Sequence, residues 1–319
     1  MIALIGKGKK FTEEALKFKE RMRDEDIEIF GSYEDLGEDI KDAEIILNGQ
    51  MKIDYEALKK AEKLKMLMTY SAGVDYVDGK FFKERGIKLL NSSGVHVKNI
   101  AEQLMGAMIY FSRNLHEAVK AKNEGVWRQK EIAVDELEGK KLLIIGAGHI
   151  GQELARKAAA FDMEIYGVRN TRTDRKVDNF KEIFKTSDLD EHLSGMDYVV
   201  LIVPLTKDTE KMMGKKQFEL MDETAVFMNI GRGPTVDQNA LFDALEKKEI
   251  KAAYLDVFEE EPVPESCRCW KIDNLLMTPH NGGMTPHYDR RIFTLFEEAV
   301  RSYRHGEDPK NQVDLSRMY

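Results

Sequence analysis

Three segments in the second half of the chain end apolar runs with residues able to bind an anion or move a proton. They are Asn229-Ile230-Gly231-Arg232-Gly233, Leu255-Asp256-Val257-Phe258-Glu259-Glu260-Glu261-Pro262 and Met277-Thr278-Pro279-His280-Asn281-Gly282-Gly283. An arginine, a carboxylate and a histidine at neighbouring strand ends can serve the reduction of a 2-keto acid. That chemistry needs a cation to hold the carboxylate and polarise the carbonyl, and a proton donor for the oxygen as hydride reaches carbon. Arg232 offers a planar fork that matches a carboxylate bidentately. His280 can donate the proton, and a carboxylate at Glu261 would favour its protonated form and fix its orientation. Taken singly, each residue has a plainer reading: a surface arginine, a solvated acidic loop, a structural histidine. A second Thr-Pro-His brings in His287 as a rival.

A hydride source is suggested in mid-chain. Lys140-Lys141-Leu142-Leu143-Ile144-Ile145-Gly146-Ala147-Gly148-His149-Ile150-Gly151 joins a buried-strand pattern to a G-x-G-x-x-G turn. In such a turn the first glycine allows the bend, the second lets the backbone approach a pyrophosphate, and the third lets the next helix pack closely on the strand. The helix N-terminus then turns its free N–H groups on the phosphates. The pattern alone is weak, and Ile5-Gly6-Lys7-Gly8 is a decoy with Phe11 in the third glycine's place. Context separates the two. Residues 152–161 (QELARKAAAF) read as a helix and 163–168 (MEIYGV) as the next strand, closing a βαβ unit of about 30 residues. The alternative is a tight βα turn without a ligand.

Positioning these residues requires a sheet. Before the glycine motif, residues 2–5, 27–30, 44–47, 67–70 and 88–90 read as strands, with helical segments such as 12–22 and 55–61 between them. Beyond it, strands recur at 198–203, 225–230, 252–257 and 275–277, with helices at 215–220 and 238–247. This alternation predicts an α/β fold of two Rossmann-like, doubly wound parallel-sheet domains. Residues 99–122 read as one long helix, apolar nearly all round at 104–111 (LMGAMIYF), which calls for cover by a second subunit, another domain or plain core. Residues 287–303 read as an amphipathic helix with no strand left to join. The expected division is therefore a discontinuous substrate-binding domain, 1–97 with 286–319, and a dinucleotide-binding domain, 98–285. A homodimer through the latter is expected.

Composition narrows the partners. With 319 residues, 42% of them hydrophobic, the chain can bury a large core and form two domains. A formal charge of −8 argues against a nucleic-acid partner. The opening apolar run, 1–5, is too short for a signal peptide, and no stretch has the length of a membrane span. Both cysteines lie in Cys267-Arg268-Cys269, a spacing that strains a mutual disulfide and supplies half a zinc site. They read as two reduced thiols in a surface loop. A cytoplasmic protein without membrane, nucleic-acid or metal partner is expected.

With Ser71-Ala72-Gly73-Val74-Asp75, Asn91-Ser92-Ser93-Gly94-Val95, Ile100-Ala101-Glu102 and Val203-Pro204-Leu205-Thr206, these motifs make the chain resemble the D-isomer-specific 2-hydroxyacid dehydrogenase family over essentially its full length. The resemblance implies an oxidoreductase that moves a hydride between a nicotinamide cofactor and a small 2-keto or D-2-hydroxy acid. It maps the family's arginine onto Arg232, its glutamate onto Glu261 directly before Pro262, and its acid/base histidine onto His280. The family pattern T-P-H-x-G-G-x-T selects the first Thr-Pro-His, closed by Thr285. It further implies that the N–H groups of Ala72 and Gly73 bind the substrate carboxylate and that Asp256 holds the nicotinamide carboxamide. Pro204 lines the cofactor pocket, and His149, Ile150, Val203 and Thr209 join the three glycines there. A formate dehydrogenase would carry Gln in the place of Glu261, and a phosphoglycerate dehydrogenase with a regulatory domain would normally need added C-terminal sequence. A nucleotide-sensing corepressor on the same fold would keep much of the site, and turnover separates it. Glyoxylate, hydroxypyruvate and pyruvate all fit as substrates.

One position departs from the NAD-using pattern. Where an acidic residue would hydrogen-bond the ribose hydroxyls, 18 residues beyond Gly151, stands Arg169, followed by Asn170, Thr171 and Arg172. A carboxylate repels a 2′-phosphate, whereas Arg169 and Arg172 would pair with one. NADP is therefore expected over NAD; the alternative leaves the arginines solvated and lets Asp174 reach the ribose.

Overall fold

The computed structural model describes residues 1–50, 52–74, 76–170 and 177–316. The chain forms two compact units, Met1–Val95 with Thr285–Tyr319, and His96–Met284.

In the first unit, β1 (Ile2–Ile5), β2 (Ile27–Phe30), β3 (Ile45–Asn48), β4 (Met66–Thr69) and β5 (Lys88–Leu90) form a parallel sheet in the order β2-β1-β3-β4-β5. The sequences IALI, IILN and MLMT of β1, β3 and β4 are buried throughout, as strands covered on both faces must be. On one face the helix Lys9–Arg21 buries Phe11, Ala15 and Phe18, an i, i+4, i+7 stripe. The closing helix Tyr288–Arg304 packs beside it, with Phe293 5.4 Å from Phe11 and Phe296 5.3 Å from Phe18 between ring centroids. The following segment adds itself to the sheet edge, where Val313 N donates to Leu89 O at 2.8 Å.

In the second unit, β6 (Lys141–Ile145), β7 (Glu164–Arg169), β8 (Glu182–Lys185), β9 (Tyr198–Leu201), β10 (Val226–Asn229), β11 (Ala252–Leu255) and β12 (Leu275–Met277) are parallel in the order β12-β11-β10-β9-β6-β7-β8. Strand order reverses between β6 and β9, the switch point at which ligands bind such sheets. The pairings Val168↔Ile145, Ile145↔Leu201, Leu201↔Asn229, Asn229↔Leu255 and Leu255↔Met277 set five of the carboxyl ends level with β6. Two parallel-sheet α/β domains are what the alternation of elements predicts.

Two expectations are corrected, and one left open is decided. Residues 99–122 are two helices, Val97–Ser112 and Leu115–Glu124. Asn114 breaks the run at φ 48°, a left-handed conformation that asparagine tolerates, and its amide caps the returning loop at Ala133 O. The apolar stretch inside the first helix belongs to the core of its own unit, where Leu104, Met105, Ala107, Met108 and Phe111 are buried with Leu154 and Ala155. Cys269 is not in a surface loop: a 3₁₀ turn folds it inward among Leu241 and Phe242, and burial, with Cys267 beside it, pushes its thiol up to about 12. Both thiols are free. Among the described residues no helix is long and apolar enough to cross a membrane.

Candidate active site

The glycine turn leaves β6 at the switch point. Gly146 has φ 107°, and a Cβ there would lie 2.3 Å from Ile202 O, so no other residue fits. A Cβ on Gly151 would lie 2.5 Å from Gly146 O, which is the close helix–strand approach expected of the third glycine. Gly148, by contrast, faces open space and caps the helix His149–Ala159 without a side chain. A group approaching from outside can therefore reach the backbone and the first helical N–H groups. The loop after β9 lies alongside, with Val203 Cγ1 3.2 Å from where a Gly146 Cβ would be. Thr209 shapes that loop, donating to Pro204 O at 2.6 Å and accepting from Thr206 N at 2.8 Å.

Arg169 is the last residue of β7, paired in register with Lys185. Its Nε is buried without a hydrogen-bond partner among the described residues. Asn170 Oδ1 accepts from Thr186 Oγ1 at 2.9 Å. Thr171, Arg172 and Asp174 lie outside the described residues.

The acid–base residues follow three adjacent strands, β10, β11 and β12. Arg232 stands between two glycines, and a Cβ on Gly233 would overlap Phe258 O at 1.9 Å, so this loop lies hard against the one after β11. Asn229, buried at the end of β10, accepts from Gly231 N at 3.0 Å and donates to Arg232 O at 3.1 Å. After β11, Glu261 Oε1 accepts from Phe258 N at 2.8 Å, and its Oε2 lies 2.6 Å from His280 Nδ1. The imidazole is half exposed at 49%, so its other nitrogen is open to a substrate. His280 takes φ 49°, uncommon for a residue with a side chain, and its N–H donates to Asp256 O at 2.9 Å.

His287 is placed differently, in the first unit at the start of the closing helix, where its N–H donates to Thr285 Oγ1 at 3.3 Å. Ala72 and Gly73 also belong to the first unit, in the loop after β4, and their N–H groups bond no other described residue.

Residues 105–282 match the family model for the NAD binding domain of D-isomer specific 2-hydroxyacid dehydrogenases. The chain belongs to the D-isomer specific 2-hydroxyacid dehydrogenase family. A D-3-phosphoglycerate dehydrogenase of Methanocaldococcus jannaschii is 34% identical over 304 residues, 95% of this chain and 58% of that protein. This chain thus spans little more than half of that relative. A glyoxylate reductase of Pyrococcus furiosus is 32% identical over 289 residues, 88% of this chain and 85% of that one. The crystal structure of a D-isomer specific 2-hydroxyacid dehydrogenase from Xanthobacter autotrophicus, in complex with NADPH and MES, superposes with a TM-score of 0.83 at 24% identity, covering 100% of this chain and 99% of the other. It shares the two-sheet fold.

Within this dehydrogenase framework, the supports of the candidate site had no assigned role in the sequence. Asn229 holds the Arg232 loop and Phe258 N holds Glu261, yet neither could be selected from types and spacing alone. The one available signal was a polar residue closing an apolar strand, as in VFMN.

Proposed function

We propose that the protein is a reductase of small 2-keto acids to D-2-hydroxy acids, reversible in principle and dependent on NADP(H) rather than NAD(H). The observation that carries this reading is the 2.6 Å contact between His280 Nδ1 and Glu261 Oε2, at the carboxyl edge of a sheet whose glycine turn is open to a ligand at Gly148.

The open backbone at Gly148 and Arg169 Nε, unpartnered among the described residues, fit a phosphorylated dinucleotide. When bound, the cofactor supplies or accepts the hydride at the substrate's second carbon. Gly146, Gly148, His149, Ile150 and Gly151 would hold its pyrophosphate, Val203, Pro204 and Thr209 its flank, and Arg169 with Asn170 and Arg172 its 2′-phosphate. Asp256 would receive the carboxamide on Oδ2, which accepts only Gly282 N among the described residues and keeps a lone pair.

Arg232 binds the carboxylate and polarises the carbonyl. Glu261 holds the Nδ1–H of His280, which fixes the tautomer and directs Nε2 at the substrate oxygen. In reduction Nε2 gives that oxygen a proton, and in oxidation it takes one back.

Leu115, Val119, Val126, Trp127 and Val134 are exposed on the second unit, Trp127 at 88%, and they support a homodimer formed through it. The free thiols support a cytoplasmic location. The functional test is a panel of glyoxylate, hydroxypyruvate and pyruvate followed by NADPH absorbance. Turnover of at least one is expected, and none across the panel would leave the nucleotide-sensing alternative standing.

A further inference from the structure

The loop that carries His280 rests on a partly buried polar chain that begins on a helix remote in sequence. Asp256 is 1% exposed and accepts three groups of that loop. Thr278 Oγ1 donates to its Oδ1 at 2.5 Å, Asn281 N to Oδ1 at 3.1 Å, and Gly282 N to Oδ2 at 3.0 Å. A Cβ on Gly282 would come within 2.8 Å of Oδ2, so the backbone lies directly on the carboxylate. Behind Thr278, Tyr254 OH is 2.8 Å from Thr278 Oγ1. Gln103, on the helix Val97–Ser112, reaches both: its Nε2 donates to Tyr254 OH at 2.5 Å and to Thr278 Oγ1 at 3.1 Å, and lies 3.5 Å from Asp256 Oδ1 itself.

The direction of these bonds is fixed by the two ends of the chain. An ionised carboxylate only accepts, so the Thr278 hydroxyl must donate to Asp256, and its lone pairs are then left for Tyr254 and Gln103. Hydroxyls rotate to suit their neighbours, whereas an amide NH₂ is a donor at all times. Burial above all pushes the Tyr254 phenol up to about 12, which keeps it a donor at neutral pH. Every proton along the chain therefore points from Gln103 toward Asp256. With Tyr254 and Asp256 buried, such a network is strengthened cooperatively and is costly to leave half satisfied.

We propose that Gln103 is a positioning residue for His280: through Tyr254 and Thr278 it directs hydrogen bonds onto Asp256, and that carboxylate holds the 280–282 backbone in the left-handed turn that sets the imidazole against Glu261. The proposal rests on His280 being the proton donor, and Gln103 itself touches neither substrate nor cofactor. Losing the amide loosens the turn, and a misplacement of about 1 Å at a reacting group can cost up to ~10²-fold in rate.

Gln103→Leu should lower kcat by roughly ten- to a hundredfold while the dissociation constant for NADPH, read by fluorescence, stays within about twofold of wild type. The double variant Gln103→Leu/Glu261→Gln should lose no more than the worse single variant, because both act through one imidazole. Additive losses, or wild-type kcat in Gln103→Leu, would overturn the proposal. A second readout does not depend on turnover. The short bond to Glu261 should give the His280 Nδ1 proton a far-downfield NMR signal, assigned by its absence in His280→Ala. That signal should weaken or vanish in Gln103→Leu and in Thr278→Val, which removes only a hydroxyl. An unchanged signal in both variants refutes the positioning role. A signal altered in both variants, beside a wild type inactive on every keto acid, would retain the role and remove only the proposed function.

Discussion

Glu261 uses both of its oxygens, one on Phe258 N at 2.8 Å and the other on the His280 ring at 2.6 Å. Its carboxylate therefore spans the turn and the ring, and holds the imidazole in one orientation by geometry. Glu261→Gln keeps the size and removes the charge. With the ring held less firmly, kcat for keto-acid reduction should fall by up to ~10²-fold, as steady-state turnover will record. An unchanged kcat would mean that the carboxylate does not position the ring. Arg169 carries the cofactor choice. A charge-assisted bond contributes ~1.5 to 3 kcal/mol, or roughly ten- to 150-fold, so wild type should prefer NADPH over NADH by at least tenfold in kcat/KM. Arg169→Asp should reverse much of that by losing the pairing and adding repulsion. Equal use of both cofactors by wild type would mean that Arg169 serves no phosphate.

At the scale of elements, the closing helix is tied to the sheet of its unit by charge as well as by Phe293 and Phe296. Arg304 donates from Nε to Glu25 at 2.8 Å and from Nη1 to Glu44 at 2.9 Å, with all three side chains about one-third exposed or less. Arg304→Ala should cost about 2 kcal/mol and lower Tm by roughly 5 °C in a calorimetric scan; an unchanged Tm would mean that aromatic packing alone holds the helix. What the sequence made legible follows from range. The glycine turn and most buried strands are written in runs of four to twelve residues, so periodicity and motif located them. The strand Glu182–Lys185 escaped notice because only Ile183 is buried in it, which leaves no pattern to read. The break at Asn114 escaped because both flanking segments are helical and one left-handed residue divides them. Gln103 could not be found at all, since Tyr254 is 151 residues away and Thr278 is 175.

For the whole molecule, the exposed apolar residues from Leu115 to Val134 lead to the expectation of a dimer at micromolar concentration. Light scattering should return twice the chain mass, and replacing the exposed Trp127 with Lys should shift the population toward monomer; a wild type of single-chain mass contradicts the dimer. The central claim is that His280 is the proton donor of a hydride-transfer site. Steady-state turnover of a 2-keto acid with NADPH, measured for wild type, His280→Ala and His287→Ala, tests it most directly. The account predicts a fall in kcat of ~10²- to 10⁴-fold for His280→Ala with NADPH binding retained, and near-normal kcat for His287→Ala. A crippled His287→Ala beside an unimpaired His280→Ala would contradict it.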